Sequence, residues 1–137
     1  MADTLKLEII TPEEKTFSED VDFVTLPGVD GEMGIYPNHV SLMTQVQHGE
    51  IAVKRGGEEF FLAIGEGFAK ITGDNVAILT DMAIRSDAID EAEAEEARKQ
   101  AETRLAEEQL SDEQIAAEQA VIANSVAQLN VKRRRSH

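Results

Sequence analysis

Beyond Gly73 this chain of 137 residues contains no glycine, no proline and no aromatic residue, and no one architecture suits both of the parts so defined. All nine glycines lie between Gly28 and Gly73, the three prolines are Pro12, Pro27 and Pro37, and the six aromatics end at Phe68. From Asp87 to His137 there are eleven alanines among many Glu and Gln. Turn-formers at short intervals suit a run of strands, whereas Ala, Glu and Gln are strong helix formers. A change from sheet to helix is therefore expected near Arg85-Ser86-Asp87, dividing the chain into 1–86 and 87–137.

The first part reads as strands. Leu5-Lys6-Leu7-Glu8-Ile9 alternates apolar and polar residues, the period of a strand with one buried face. Further strands are expected over 21–26, 40–46, 51–54, 59–64, 67–72 and 76–80. Two glycines in Arg55-Gly56-Gly57-Glu58 suit a tight hairpin with positive φ, and Thr72-Gly73-Asp74-Asn75 signals a second turn. Short antiparallel strands at this spacing predict a β-sandwich or flattened barrel, and with the helices behind it the fold class is α+β.

The second part reads as two helices. Asp90 with Glu93, and Ser111 with Gln114, have the spacing of capping boxes, in which side chains satisfy free N–H groups at a helix start. Ile115, Ile122, Val126 and Leu129 make one apolar stripe, and Ala94, Ala97, Ala101 and Leu105 a thinner one. A link around 109–111 folds the two helices back as an antiparallel hairpin. So few large aliphatic side chains give a thin core. The hairpin should therefore depend on the sandwich or on a partner, and should be the part that moves.

The residues offer little chemistry. No cysteine is present, which removes disulfides, thiolate metal sites and cysteine nucleophiles. His39, His48 and His137 show no metal-ligand spacing, and no phosphate-binding glycine loop occurs. Gly65-Glu66-Gly67 lies between two strands and reads as a turn. No catalytic residue, metal or cofactor is expected. A formal charge of −14 argues against nucleic acid or an anionic lipid surface. No apolar run is long enough to span a bilayer, and Met1–Leu7 lacks a signal pattern, so a soluble, mature start is expected.

Leu26 to His39 reads Leu-Pro-Gly-Val-Asp-Gly-Glu-Met-Gly-Ile-Tyr-Pro-Asn-His, turn residues around Met33, Ile35 and Tyr36. It is expected to be a surface loop, either tucked into the sandwich or forming a docking edge. This stretch resembles the hallmark of epsilon subunits of F-type ATP synthases, where Gly-Glu-x-Gly-Ile-Tyr-Pro-x-His recurs. The similarity continues through Gly65–Phe68, Val76–Asp81, Ala83–Arg85 and Ile89–Ala92.

The resemblance implies a sandwich of about ten strands at the foot of a central stalk, bound to the gamma subunit and the ring of c subunits. Glu32, Tyr36 and His39 would lie at those contacts. It also implies a non-catalytic rotor subunit at the cytoplasmic face of a bacterial plasma membrane, with a plastid thylakoid second. Its C-terminal hairpin would either fold on the sandwich or extend to the alpha and beta catalytic subunits and obstruct ATP hydrolysis. Lys132, Arg133, Arg134 and Arg135 are more cations than a helix C-terminus needs, and would latch onto acidic surfaces of those subunits.

One departure stands out. Relatives that bind ATP carry Ile/Leu-Asp-x-x-Arg-Ala at the first helix, whereas here Ile89 and Asp90 are followed by Glu93 at the arginine position. A carboxylate there repels phosphate, so ATP binding is expected to be weak or absent. The competing reading is a nucleotide-sensing module built on Ile89, Asp90 and Arg98.

Overall fold

The computed structural model describes residues 4–13, 15–107 and 109–135; the side chains of Lys15, Thr16 and His39, and all of His137, lie outside the description. Ten strands come first: β1 (Leu5–Ile10), β2 (Lys15–Val21), β3 (Phe23–Gly28), β4 (Gly31–Ile35), β5 (His39–Val46), β6 (Gly49–Arg55), β7 (Glu58–Ile64), β8 (Gly67–Gly73), β9 (Asn75–Thr80) and β10 (Ala83–Arg85). A 3₁₀ turn (Ser86–Ala88) leads to helices α1 (Glu91–Glu107) and α2 (Asp112–Arg135). The expected order of sheet then helical hairpin is what forms.

The strands run β10-β7-β6-β3-β5-β8-β9-β1-β2, with β4 against β3. β3 is the corner. Along one edge Val24 to Gly28 pair with β4; along the other Phe23 to Thr25 pair with β6 and only Gly28 reaches β5, opposite Val46. The sheet thus curls into two layers, β10-β7-β6-β3-β4 and β5-β8-β9-β1-β2. The far ends approach as well, with the Phe17 ring of β2 lying 5.6 Å from Phe60 of β7. Between the layers the alternating residues Leu5, Leu7 and Ile9 meet Val24, Leu26, Ile51, Val53, Leu62, Ile71 and Ile78, all at most 1% exposed. Each such side chain contributes about 1.5–3 kcal/mol by leaving water.

Several details differ from the sequence expectation. The sheet is not wholly antiparallel: β1 pairs with β9 in parallel, Leu7 opposite Val76 and Ile9 opposite Ile78. The 21–26 strand is two elements separated at Asp22, and β2, β4 and β10 add to those expected. The segment expected as a loop is therefore mostly paired, Leu26 opposite Met33 and Gly28 opposite Gly31. The Arg55–Glu58 turn is as expected, Gly56 and Gly57 having φ of 58° and 86°.

Both helix starts carry an N-cap bond, and the second completes the expected box. Glu93 N–H donates to Asp90 Oδ1 at 3.0 Å. Ser111 and Gln114 form the full reciprocal box, at 3.2 Å to Ser111 Oγ and 2.9 Å to Gln114 Oε1. In α1, Ala94 and Ala101 are buried on α2 as expected. In α2 the single stripe is wrong, because Val126 is exposed while Ser125, Ala127, Leu129 and Val131 are buried. A helix packed on two sides, against α1 and against the sheet, needs two narrow buried strips, which a one-face pattern does not describe.

Candidate functional site

The sandwich has two outer faces, and their chemistry differs. On β6 and β7 the residues that point away from the core are Glu50, Ala52, Phe61 and Ala63, with Glu50 opposite Ala63. α2 covers this face, where Ala63, Ile89 and Val131 are buried with Phe61, Met82 and Ile84 packed around them. On the other layer the outward residues of β5, β8 and β9 lie uncovered. Phe68 is directly opposite Leu79, and Met43 stands diagonal to Phe68, two residues from its partner Gln45. Their exposures of 66% (Met43), 54% (Phe68) and 51% (Leu79) are large for side chains of this kind. Clustered exposed apolar residues on a flat sheet face mark a surface that another protein covers.

Sequence reading did not single out Met43, Phe68 or Leu79. The signal was present: in Gly67–Gly73 the buried parity is Ala69 and Ile71, so Phe68 shares its face with Lys70. In Asn75–Thr80, Leu79 likewise falls opposite to Val76 and Ile78. A large apolar residue on the polar parity of two neighbouring strands needs the pairing register before it becomes a patch.

The residues that were singled out do not converge. Glu32 lies exposed on β4 opposite Pro27, and Tyr36 follows that strand, 65% exposed, with its ring 4.3 Å from Phe23. Four residues of extended chain separate them by about 13 Å. His39 opens β5 opposite Gly73, and its side chain lies outside the description.

The basic run divides. Arg133 turns to α1, its Nε 2.7 Å from Glu91 and Nη2 3.1 Å from Glu95. Arg134 and Arg135 turn to the sheet, where both meet Glu50. Lys132 Nζ donates to the Ser86 carbonyl at 3.4 Å. Glu50, hydrogen-bonded to Arg135, holds that guanidinium above its already high range, against the opposing effect of burial.

At the start of α1, Asp90 and Glu93 line a cleft of about 280 Å³ with Ile84, Ala94, Ser125 and Gln128. Ile89 is buried beneath the hairpin, and Asp90 serves as the helix cap. Arg98 pairs with Glu95, and with Glu102 at 2.9 Å. The cleft presents two carboxylates, and Arg98 is already neutralised. Among the described residues no group of three or more His, Asp or Glu is arranged to hold a metal ion, and no helix is long and apolar enough to cross a membrane.

The chain is thus a curled ten-stranded sandwich with one outer face capped by its own hairpin and apolar side chains exposed on the other. Residues 4–86 match the family model described as ATP synthase, Delta/Epsilon chain, beta-sandwich domain, and the chain belongs to that family. An ATP synthase epsilon chain of Desulforamulus reducens is 43% identical over 95 residues, covering 69% of this chain and 72% of the relative. One from Dehalococcoides mccartyi is 48% identical over 90 residues, covering 66% of this chain and 64% of the relative's own length.

Among solved structures, the fold is similar to a chain in the Euglena gracilis mitochondrial ATP synthase, OSCP/F1/c-ring, with a TM-score of 0.70 at 21% identity over 90% of this chain and 78% of that one. A chain of the Tetrahymena thermophila mitochondrial ATP synthase central stalk and c-ring gives 0.56 at 9% identity, covering 95% and 97%.

Proposed function

We propose that this chain is a rotor subunit of a proton-translocating ATP synthase, seated in the central stalk against the gamma subunit and the c ring, and peripheral to the cytoplasmic face of the membrane. The observation that carries this reading is the bare apolar face of Met43, Phe68 and Leu79 on a closed, two-layer sandwich. A stiff body with a flat apolar side transmits torque to what it grips. Glu32, Tyr36 and His39 lie on the segment that would reach the c ring. Replacing Met43 by Lys and Phe68 by Glu together should abolish co-purification with the other stalk subunits. The isolated variant's stability should stay within about 0.5 kcal/mol of the parent, since both sites are exposed. Unchanged co-purification would remove the reading.

The C-terminal hairpin is the regulatory part of the same proposal. α1 rests on α2, and α2 touches the sandwich over a small apolar area, so undocking exposes little core. A released hairpin would present the basic end of α2 to acidic surfaces of the alpha and beta subunits and restrain hydrolysis. Weak or absent ATP binding is part of the same proposal, supported by the two carboxylates of Asp90 and Glu93 at the cleft and by the pairing of Arg98 within α1.

A further inference from the structure

We propose that Glu50 is a clasp for the hairpin, a single carboxylate that occupies Arg134 and Arg135 in the docked form and so competes with any acidic partner surface for the same two cations. This rests on the regulatory reading above and specifies what opposes it. The geometry is that of a two-armed fork: Arg135 Nη2 donates to Glu50 Oε1 at 2.6 Å and its Nε to Oε2 at 3.0 Å. Arg134 Nη1 adds a bond to Oε1 at 3.4 Å. Charge-assisted, two-point pairs of this kind are the stronger hydrogen bonds of proteins. The Arg135 guanidinium also lies over the Phe61 ring, 3.6 Å from its centroid, which fixes its direction.

Glu50 is suited to decide the docking because the other polar contacts across the junction are long single bonds, Asn124 Nδ2 to Asp81 Oδ2 at 3.5 Å and Lys132 Nζ to the Ser86 carbonyl at 3.4 Å. The Glu50 side chain is only 13% exposed, so little of it is left to water where the two guanidinium groups meet it. The apolar junction is confined to Ala63, Ile89 and Val131 with three half-buried neighbours. Two groups oppose docking. The Nε2 of His48 and the Oδ1 of Asn124 are buried without a partner among the described residues. His48 lines a groove with Ala123, Val126 and Arg134, while Asn124 reaches over Gly65, so both face the junction. Each regains water when the helix leaves, which favours release.

The partition of the basic run gives the clasp its consequence. Arg133 bonds Glu91 and Glu95 on α1, so it stays neutralised wherever the hairpin goes as a unit. Arg134 and Arg135 are bonded to the sandwich alone and become free cations only on release. Docking on Glu50 and binding to an outside carboxylate are mutually exclusive for these two residues.

The chain has no cysteine, so spin labels can be placed at will, for example at exposed Thr72 and Gln119 of the isolated full-length protein. In the parent the distance distribution should be dominated by one docked population, with a second growing as salt is raised. Glu50→Gln should increase the undocked-to-docked ratio about three- to tenfold at low salt. Changing both Arg134 and Arg135 to Gln should have the same effect, and the triple variant should add nothing further. A parent-like distribution for Glu50→Gln, or independent additive effects, would overturn the clasp.

In the assembled synthase, Glu50→Gln should lower ATP hydrolysis by freeing the two arginines. If the distances shift while hydrolysis does not, the clasp stands and the regulatory reading of the hairpin falls.

Discussion

A methyl group at Gly67 would sit 1.8 Å from the Leu79 carbonyl oxygen, in the strand pair that carries the bare apolar face. The obstacle is backbone, which cannot swing aside as a side chain could. Gly67→Ala should therefore push β8 from β9 and cost about 1–3 kcal/mol, measured as a lower urea midpoint of the isolated chain. A midpoint within error of the parent would mean the strand pair yields without cost. In the sequence this glycine stood where a turn meets the strand expected over 67–72. Its requirement arises from Thr80, which it pairs with, and from the Leu79 oxygen beside it, residues that sequence spacing does not place nearby. The same holds for Phe68 and Leu79, which gain meaning only as neighbours across that pair.

Elements were legible where local chemistry alone dictates them. The Ser111–Gln114 box satisfies two backbone groups within four residues, so it could be read directly and it forms. Ser111→Ala should cost about 1 kcal/mol of helix stability. Faster amide exchange through the first turns of Asp112–Arg135, with β7 and β8 unchanged, would show it; equal exchange would exclude a stabilising cap. β2 was not legible, because Lys15–Val21 offers only Phe17 and Val21 as buried apolar residues among acids of low strand propensity. Those same charges suit an edge strand, which must not recruit another chain. β4 was masked by its glycines, Gly31 and Gly34, and β10 by its length of three residues. Val126 was assigned to the buried stripe because one periodic face was assumed for a helix that is covered on two sides.

As a whole, the molecule is a sandwich with one outer face covered from within and one left open. Removing residues 87–137 uncovers Phe61 and Ala63 but leaves the interlayer core intact, since that core draws only on β1–β10. In the assembled enzyme this deletion should preserve assembly and raise ATP hydrolysis, measured as ATPase rate per complex. Loss of assembly would mean that the hairpin is needed to hold the stalk together. Addition of millimolar Mg-ATP to the isolated full-length chain should move its melting temperature by no more than about 1 °C. A shift of several degrees would restore the nucleotide-sensing module, with the Asp90–Glu93 cleft as its site.

Strand alternation, turn glycines and helix caps are interactions among residues a few positions apart, so sheet-then-hairpin order was determined by the sequence alone. Tertiary structure decided the parallel pairing of β1 with β9, the face that α2 covers, and the division of three neighbouring arginines between α1 and Glu50. These depend on partners as distant as the 85 positions between Glu50 and Arg135, where hydrophobic pattern and local propensity carry no information about who meets whom.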